Sequence, residues 1–344
     1  MRPSFFHHLH PPTIPSPQAR LRYTLAAGGL SFFLLLVVIV SGALEMFYYV
    51  PTPEQAPLSI QTITYLVPFG GWVRNLHYWS AQLLVVSACL HLLRVVFTGG
   101  YAPPRRFNFL IGMGILLMIL FLDFTGYALR WDEGVRWALV AGTNLVRTIP
   151  QIGDWLYRLA VGGNEPGAAT LVRFYAWHIF GLTLVIAILT AWHIFRVRRD
   201  GGIAVPPPEL RGDPSRISRF ELARREGLAA ILASATLIGL AAWVPAPIAP
   251  PIQGEAGLAV DSLAPWFFLW VQQMLKSGDP FIFGILIPAG IFLLLASYPY
   301  LFKSPQAAEL GRWFPRGGRA FQVFFAFVAA GIIILTILAL AGAS

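Results

Sequence analysis

Apolar side chains recur along the chain in seven runs of about 20 residues or more, the length that an α-helix needs to cross the hydrocarbon core of a bilayer. Polar segments rich in proline, glycine and arginine separate these runs. The pattern therefore predicts an all-α, polytopic transmembrane protein with seven spans, approximately at 23–49, 73–98, 107–129, 171–197, 227–247, 280–302 and 318–341.

The composition agrees with this prediction. Hydrophobic residues make up 56% of the 344 residues and charged residues only 12%, a balance typical of membrane proteins. The formal charge of +9 does not indicate a nucleic-acid partner, because the basic residues are distributed among loops and do not cluster on one binding element. The segment 1–22 is too polar and proline-rich for the start of a secretion signal, so we expect the first run to be a retained span.

Four histidines occupy two of the predicted spans at matched intervals. The second span carries His77 and His91 at positions i and i+14, and the fourth carries His178 and His193 at positions i and i+15. Fourteen residues separate two imidazoles by roughly 21 Å along a helix and leave them within about 40° of each other on its surface. One face of each helix therefore carries one nitrogen ligand near each membrane surface.

Ionisable groups in hydrocarbon need a partner, and imidazole ligation on both sides of a heme iron suits electron transfer. We therefore expect two hemes stacked across the membrane, one held by His77 and His178 and the other by His91 and His193. Cys89, the only cysteine, lies within a span and in no CxxCH motif, so both would be noncovalent heme b. Packed histidines, or histidines that carry protons in a proton-coupled transporter, are the alternatives.

Glycines repeat the 14-residue interval in the first and third spans, at Gly28 and Gly42 and at Gly112 and Gly126. A glycine has no side chain, so the backbone can approach a flat macrocycle at the depth of each heme. Close packing between membrane helices is the alternative for any one of them. The shared interval in the first three spans favours cofactor binding.

Two arginines flank the histidines of the second span. Arg74 and Arg94 each lie three residues from a histidine, one at either end. Heme propionates are anionic and need cationic partners, so we predict that both arginines bind propionates. Snorkelling of arginines at helix ends is the alternative.

The basic residues also predict the orientation. Of the 25 Lys and Arg residues, 18 belong to the tail, the second-to-third loop, the fourth-to-fifth linker and the sixth-to-seventh loop. The positive-inside rule then predicts that the N-terminus is cytoplasmic and the C-terminus external, and we expect the membrane to be the cell's inner (plasma) membrane. His77 and His178 lie near the outer surface in this topology, and His91 and His193 near the inner one.

The domains follow from the spans and from the proline-rich linker. We predict a cytoplasmic tail (1–22), a four-helix diheme bundle (23–200), a cytoplasmic linker (201–226) and a C-terminal three-helix half (227–344). The loop 130–170 contains apolar patterns at 137–149 and 152–161, which predict two short helices in the outer interface and a roof for a quinone pocket. Residues 264–276 form an amphipathic aromatic stretch, which alone indicates an interfacial belt.

Several motifs together resemble cytochrome b of the cytochrome bc and b-f quinol oxidoreductases. They run through most of residues 28–200, and the second half resembles subunit IV of the b-f complexes, here fused to the first. The motifs are YYVPTPEQA (48–56), GWVRNLHYWSA (71–81), HLLRVVFTGG (91–100), FTGYALRWD (124–132), IPQIG (149–153) and TLVRFYAWH (170–178).

The resemblance implies a function. Quinol would be oxidised in an outer pocket lined by Tyr127, Gly142, Trp266 and Phe267. One electron would pass to a Rieske iron-sulfur protein and a c-type cytochrome or an equivalent acceptor. The other would cross the low-potential outer heme and the high-potential inner heme to an inner quinone. The chain would thus be the catalytic subunit of a quinol:cytochrome c (or plastocyanin-like acceptor) oxidoreductase, a homodimer within a multisubunit complex.

Three residues or motifs depart from the family. The Pro-Glu-Trp-Tyr motif, whose carboxylate is assigned to quinol deprotonation, reads Ala-Pro-Trp-Phe at 264–267. Asp123, Glu255 or Asp261 then substitutes for it, or electrons do not bifurcate in the usual way. Arg130 replaces a proline, and no cysteine matches the one that holds the additional heme of b-f complexes.

The missing carboxylate keeps a second function open, a diheme membrane anchor that links the quinone pool to a redox module without a Rieske protein. Acids within the spans have open roles as well. Glu45 and Asp123 lie near the outer heme level, where partial solvation and a proton route explain them equally well. Glu226, on the cytoplasmic side, is a candidate to protonate an inner quinone.

Overall fold

The computed structural model describes residues 12–212, 214–252 and 263–342. In this part of the chain seven helical segments are long and apolar enough to cross a membrane, which confirms the predicted all-α polytopic fold. Side chains such as Val40, Ile231 and Phe327 are mostly exposed on them, as expected for surfaces that face lipid. The segments are Ala27–Glu45, Gly70–Phe97, Arg106–Ala128, Ala168–Arg199, Arg219–Trp243, Ile282–Leu301 and Arg316–Ala341.

Two of the spanning segments contain a single π-helical turn. One turn, Trp177–Gly181, lies within the fourth spanning segment, and the other, Ile282–Leu286, begins the sixth. The α-helices of the described residues are α1 (Leu21–Thr24), α2 (Ala27–Glu45), α3 (Ala56–Tyr65), α4 (Gly70–Phe97), α5 (Arg106–Ala128), α6 (Glu133–Arg147), α7 (Gly153–Val161), α8 (Ala168–Ala176), α9 (Leu182–Arg199), α10 (Arg219–Trp243), α11 (Leu269–Leu275), α12 (Ile287–Leu301) and α13 (Arg319–Ala341).

The first four spans form a four-helix bundle. Helix α2 packs along α4, and α5 packs along α9. Buried side chains from all four spans fill the middle of the bundle, namely Leu34, Leu84, Ile119 and Ile186. Each of them lies about midway between the two glycines or the two histidines of its own helix. This apolar layer therefore divides the bundle into two ends. We call the end with His77 and His178 outer and the end with His91 and His193 inner, after the predicted topology.

The last three spans pack around this bundle. Helix α10 contacts α4 and α2, α12 contacts α5, and α13 packs against α11. At the inner end an aromatic cluster joins the two halves of the chain. Its members include Tyr101 and Phe109 from the first half and Tyr298 and Phe321 from the second. The rings of Tyr298 and Phe321 stack with their centroids 3.9 Å apart.

The described part of the tail lies against the linker. Strand β1 (Thr13–Pro15) pairs antiparallel with β2 (Arg216–Ser218), and Nε2 of Gln18 donates a 2.8 Å hydrogen bond to the carbonyl of Ile203. The two segments that we predicted as separate regions therefore form one small inner-side unit.

The fifth spanning helix begins at Arg219, earlier than the predicted residue 227. Ser218 caps it, because its hydroxyl accepts a 3.2 Å hydrogen bond from the backbone N–H of Glu221, and Glu221 pairs with Arg224 and Arg225. Hydrophobicity marks only the part of a helix that lies in hydrocarbon. These polar first turns were therefore missed.

The outer end carries both predicted interfacial helices, α6 and α7, together with α3, which we did not predict. The chain after α10 lies against the outer end of α4. The amide of Asn75 accepts a 2.8 Å hydrogen bond from the N–H of Ala246, and the indole of Trp79 donates one of 2.8 Å to the carbonyl of Val244. Polar side chains of α4 thus fix residues 244–247 over the outer site.

Candidate functional site

The four histidines meet in two pairs, one at each end of the bundle. The ring centroids of His77 and His178 are 6.3 Å apart, and those of His91 and His193 are also 6.3 Å apart. The ring planes within each pair are close to perpendicular, at 75° and 82°. The structure thus brings together the predicted partners at both heights.

This spacing fits a metal ion between the imidazoles. A metal lies about 2.0 Å from a coordinating imidazole nitrogen, so two imidazoles on opposite sides of one metal have centres roughly 6 Å apart once a ring radius of about 1 Å is added on each side. The donor set of two neutral nitrogens and no open position suits a heme iron.

The π turn explains why the histidine intervals differ between the two helices. Helix α4 is a regular α-helix between its histidines, whereas His178 lies within the turn Trp177–Gly181. A π turn inserts one extra residue without moving the remainder of the helix to another face. The fourth span, with its histidines at i and i+15, therefore matches the second, with its histidines at i and i+14.

Each predicted glycine lies directly against one imidazole. A methyl group added at Gly42 would lie 2.8 Å from Cε1 of His77, and one added at Gly126 would lie 2.7 Å from Cε1 of His178. At the inner site, a methyl group added at Gly28 would lie 3.1 Å from Cε1 of His91, and one added at Gly112 would lie 3.2 Å from Cε1 of His193. The absent side chains leave room for the imidazoles.

Two hydroxyl groups accompany the outer pair. The Ser41 hydroxyl lies 3.1 Å from Nδ1 of His77, and the Thr125 hydroxyl lies 3.1 Å from Nδ1 of His178. We did not identify these residues from the sequence, although each immediately precedes one of the outer glycines. Among the described residues, no hydroxyl lies within hydrogen-bond distance of the buried Nδ1 atoms of His91 and His193, although His193 has a hydrogen bond with the backbone of Asn108.

The flanking arginines differ in their contacts. Arg94 lies over the ring of Tyr23 and donates through Nε to its carbonyl at 3.3 Å. Its buried Nη2 has no hydrogen-bond partner among the described residues, which leaves a donor for an anionic group. Arg74 donates to the carbonyls of Ala246 and Pro247, so it also holds the loop after α10.

A cavity of about 360 Å³ opens from the outer pair. Its lining includes His77 and His178 together with Tyr127, Trp266 and Phe267 from the predicted quinol pocket. The space beside the outer imidazoles and the predicted quinol pocket are therefore one continuous cavity.

The remaining predicted pocket residue, Gly142, lies elsewhere. It is not part of this lining, and a methyl group added there would meet the ring of Phe124 at 2.9 Å. Among the described residues, the lining contains no residue of α6 or α7. Pro247, Pro265 and Trp266 close the cavity where we expected the two interfacial helices to form the roof.

A hydrogen-bonded chain crosses the cavity wall. The indole Nε1 of Trp266 donates to Oε1 of Gln82 at 2.7 Å, and Nε2 of Gln82 donates to Oδ1 of Asp123 at 3.2 Å. Gln82 was missed in the sequence, because no local pattern signals it. Glu45 also lines the cavity, and its buried Oε1 has no hydrogen-bond partner in the described residues. Glu255 and Asp261 lie outside the residues that the structure describes.

Arg130 is half-buried and forms an ion pair with a buried carboxylate at the outer end. Its guanidinium binds the carboxylate of Asp132 at 2.8 Å, and Asp132 also accepts a 3.0 Å hydrogen bond from the N–H of Ala249. This pair connects the end of α5 to the loop after α10.

Comparison with known proteins agrees with this arrangement. A family model described as cytochrome b(N-terminal)/b6/petB matches residues 82–251. Cytochrome b6 of Heliomicrobium gestii is 37% identical over 187 residues, which cover 54% of this chain and 88% of that protein. The chain belongs to the cytochrome b/b6 family. It is thus a multi-pass membrane protein of a heme-binding, electron-transferring family.

Other relatives extend the comparison. The cytochrome b subunit of a menaquinol:cytochrome c reductase from Geobacillus thermodenitrificans is 39% identical over 175 residues, which cover 51% of this chain and 78% of that protein. Cytochrome b6 of Synechocystis is 36% identical over 185 residues. A chain of a solved hyperthermophilic respiratory Complex III superposes with a TM-score of 0.77 over 98% of this chain and 95% of that one, at 19% identity. The chain therefore has the fold of that Complex III chain in its first four spans and in its last three.

Proposed function

We propose that this cytochrome b binds two noncovalent heme b groups and is the quinol-oxidising subunit of a quinol:acceptor oxidoreductase. The observation that carries the proposal is the equal 6.3 Å spacing of two imidazole pairs at opposite ends of one bundle. His77 and His178 would hold the outer heme, and His91 and His193 the inner one. When bound, the hemes supply one-electron carriers at both membrane surfaces.

The residues around each site have distinct roles in this proposal. The four glycines make room for the imidazoles, so that each nitrogen can reach an iron. Arg94 binds a propionate of the inner heme through its unpaired Nη2. Arg74 faces the outer cavity and balances the propionate charge there, while its hydrogen bonds to the loop after α10 keep it in place.

The proposed quinol site is the part of the outer cavity that lies beside Tyr127, Trp266 and Phe267, while the part between His77 and His178 is left for the outer heme. Oxidation of one quinol to quinone releases two protons and two electrons. With the hemes bound, one electron would go to the outer heme held by His77 and His178, and the other would go to a high-potential one-electron acceptor of the Rieske iron-sulfur class on another subunit. Asp123 accepts one proton, because it is a half-buried carboxylate of the cavity wall that Gln82 holds in place. The other proton is released to water at the outer surface.

The inner end of the bundle is the proposed site where electrons from the inner heme would reduce a quinone. Glu226 of α10 lies beside α2, with its Cδ 3.5 Å from where a methyl group on Gly29 would be. Gly29 adjoins Gly28, which packs on the inner imidazole His91. Glu226 is therefore the proposed proton donor for a quinone that is reduced on the cytoplasmic side.

The partners follow from the relatives. One of them is named as a subunit of a menaquinol:cytochrome c reductase, so we propose a Rieske protein and a c-type cytochrome or equivalent acceptor, assembled with a homodimer of this chain in a bacterial plasma membrane. The arginine distribution supports a cytoplasmic N-terminus and an external C-terminus.

Heme analysis of the detergent-purified protein tests this proposal. We expect two heme b per chain with six-coordinate, low-spin spectra, and the loss of one heme in each of the single variants His77→Ala and His91→Ala. A menaquinol analogue should reduce the hemes in the complete complex. One heme or none in the wild-type protein would overturn the proposal.

The absence of a carboxylate at Pro265 favours one second candidate, the diheme anchor of a redox module without a Rieske protein. The subunits that copurify with this chain separate the two. A Rieske protein supports quinol oxidation with two acceptors, whereas a different redox subunit supports the anchor.

A further inference from the structure

The outer and inner imidazole pairs differ in one chemical feature. The residue before each outer glycine is a hydroxyl residue, Ser41 in α2 and Thr125 in α5. The residues at the corresponding inner positions are Ala27 and Ile111. All four glycines pack on imidazoles. The two sites therefore share a backbone arrangement and differ in the hydroxyl groups that reach Nδ1.

The contacts of His77 fix the direction of its hydrogen bond. Nδ1 of His77 lies 3.1 Å from the carbonyl oxygen of Val38, which can only accept, so Nδ1 carries the proton. The Ser41 hydroxyl donates to the carbonyl of Val37 at 2.7 Å. Its oxygen is then left to accept a second hydrogen bond from the same Nδ1–H.

The same arrangement recurs on the other helix. The Thr125 hydroxyl donates to the carbonyl of Phe121 at 2.9 Å, and its oxygen lies 3.1 Å from Nδ1 of His178. His178 also has a hydrogen bond with the backbone of Leu122, as His77 has with Val38. Both outer imidazoles therefore have Nδ1 protonated and Nε2 free, and each Nδ1–H faces a hydroxyl oxygen.

We propose that Ser41 and Thr125 are positioning residues that lower the midpoint potential of the outer heme relative to the inner one. An acceptor on Nδ1–H increases the electron density and basicity of the imidazole, and a more basic ligand stabilises ferric iron more than ferrous iron. The inference rests on the proposed binding of two hemes. It assigns a structural cause to the direction of electron flow from the outer to the inner site.

The test is a redox titration of the purified complex with spectroscopic resolution of the two hemes. Second-sphere partners of metal ligands typically change affinity by about 10-fold or more. In the double variant Ser41→Ala/Thr125→Val, the preference of the outer site for ferric over ferrous iron should fall by up to about tenfold. The midpoint potential of the outer heme should therefore rise by up to about 59 mV, the equivalent for a one-electron couple. The potential of the inner heme should not change.

The chain offers a matched gain-of-function control. Ala27→Ser and Ile111→Thr place hydroxyls at the inner positions and should lower the potential of the inner heme while the outer one stays constant. Ser41→Thr retains the hydroxyl and should retain the wild-type potential, so it separates the hydrogen bond from a change in packing.

Three outcomes decide the inference. The inference is supported if the midpoint potential of the outer heme alone rises in Ser41→Ala/Thr125→Val and does not rise in Ser41→Thr. It is overturned if the double variants retain both hemes with unchanged midpoint potentials. It is also overturned if Ser41→Thr raises the midpoint potential as much as Ser41→Ala/Thr125→Val does. A wild-type protein without two separate redox transitions contradicts the proposed function itself, whatever the variants show.

Discussion

The indole N–H of Trp266 donates to Oε1 of Gln82, and this single contact fixes the orientation of an amide in the cavity wall. An indole can only donate, so the oxygen of Gln82 must face Trp266 and its NH₂ group must face Asp123. The NH₂ group can only donate, so Asp123 is held as an acceptor, 3.2 Å away. A residue of the second half of the chain thus positions a carboxylate of the first.

The first prediction concerns Asp123→Asn, which retains the size of the side chain and cannot accept a proton. General acid-base catalysis typically contributes about 10²- to 10⁴-fold, so we expect quinol-driven heme reduction to slow by about that range in stopped-flow measurements. Heme content and potentials should remain normal. Glu45→Gln alters the other acid of the cavity and should have the smaller effect. The reverse ranking would assign the proton to Glu45.

The second prediction concerns Trp266→Phe, which retains the aromatic contact and removes the N–H. The Gln82 amide is then free to turn and no longer fixes Asp123. A neutral hydrogen bond contributes about 0.5–1.5 kcal/mol, so we expect heme reduction to slow by roughly 2- to 10-fold. Combined with Asp123→Asn, the variant should add little, because both act through one chain. Fully multiplicative effects would contradict the coupling.

The third prediction concerns the glycines. In Gly126→Ala the added methyl would lie 2.7 Å from Cε1 of His178, and overpacking of this kind typically costs about 1–3 kcal/mol. We expect the outer heme to be lost or to become weakly bound while the inner heme remains, as measured by heme stoichiometry and redox titration. Gly114→Ala, on the same helix, meets only Leu189 at 3.9 Å and should retain both hemes.

The fourth prediction concerns the ion pair of Arg130 with the buried Asp132, whose carboxylate also binds the second half of the chain at Ala249. Asp132→Ala leaves Arg130 with an uncompensated charge and removes the acceptor of the Ala249 N–H. Breaking a buried pair typically costs about 3–5 kcal/mol, so the thermal unfolding midpoint in detergent should fall clearly. Glu221→Gln, which breaks the more exposed pairs with Arg224 and Arg225, should shift it much less. Equal shifts would show that the Arg130–Asp132 pair contributes no more than a surface pair.

The sequence predicted the spans and the histidine pairs because both depend on local period. A hydrophobic run reports its own length, and the interval between two histidines on one helix reports whether they share a face, whatever the neighbouring helices do. The glycines of α2 and α5 were recognisable for the same reason. Ser41 and Thr125 could also have been found, since each directly precedes an outer glycine and the inner glycines lack such a neighbour.

Other parts of the site depend on contacts between distant residues. Gln82 and Trp266 are separated by 184 positions, and no pattern around either residue signals the other. The closure of the cavity by residues 247 and 265–267 has the same origin, because Arg74 and Asn75 fix the loop after α10 from a different helix. The displaced position of Gly142 depends likewise on how α6 packs against Phe124. These relationships require tertiary structure.

The final prediction tests the π turn at Trp177–Gly181. Deletion of Phe180, which is 70% exposed, should convert the turn into regular α-helix and shorten the interval between His178 and His193 to that of α4. The turn only accommodates the one additional residue between the histidines of the fourth span. Both imidazole pairs should therefore still form, and the purified variant should retain two hemes.

Deletion of Val86, a partly exposed residue between His77 and His91, is the matched control. Helix α4 is a regular α-helix along its whole length, so it has no wide turn to take up the change, and the deletion rotates one histidine by about 100° relative to the other. We expect this variant to lose one heme. If Val86 can be deleted without loss of heme, or if deletion of Phe180 removes one, the π turn does not set the register of the fourth span.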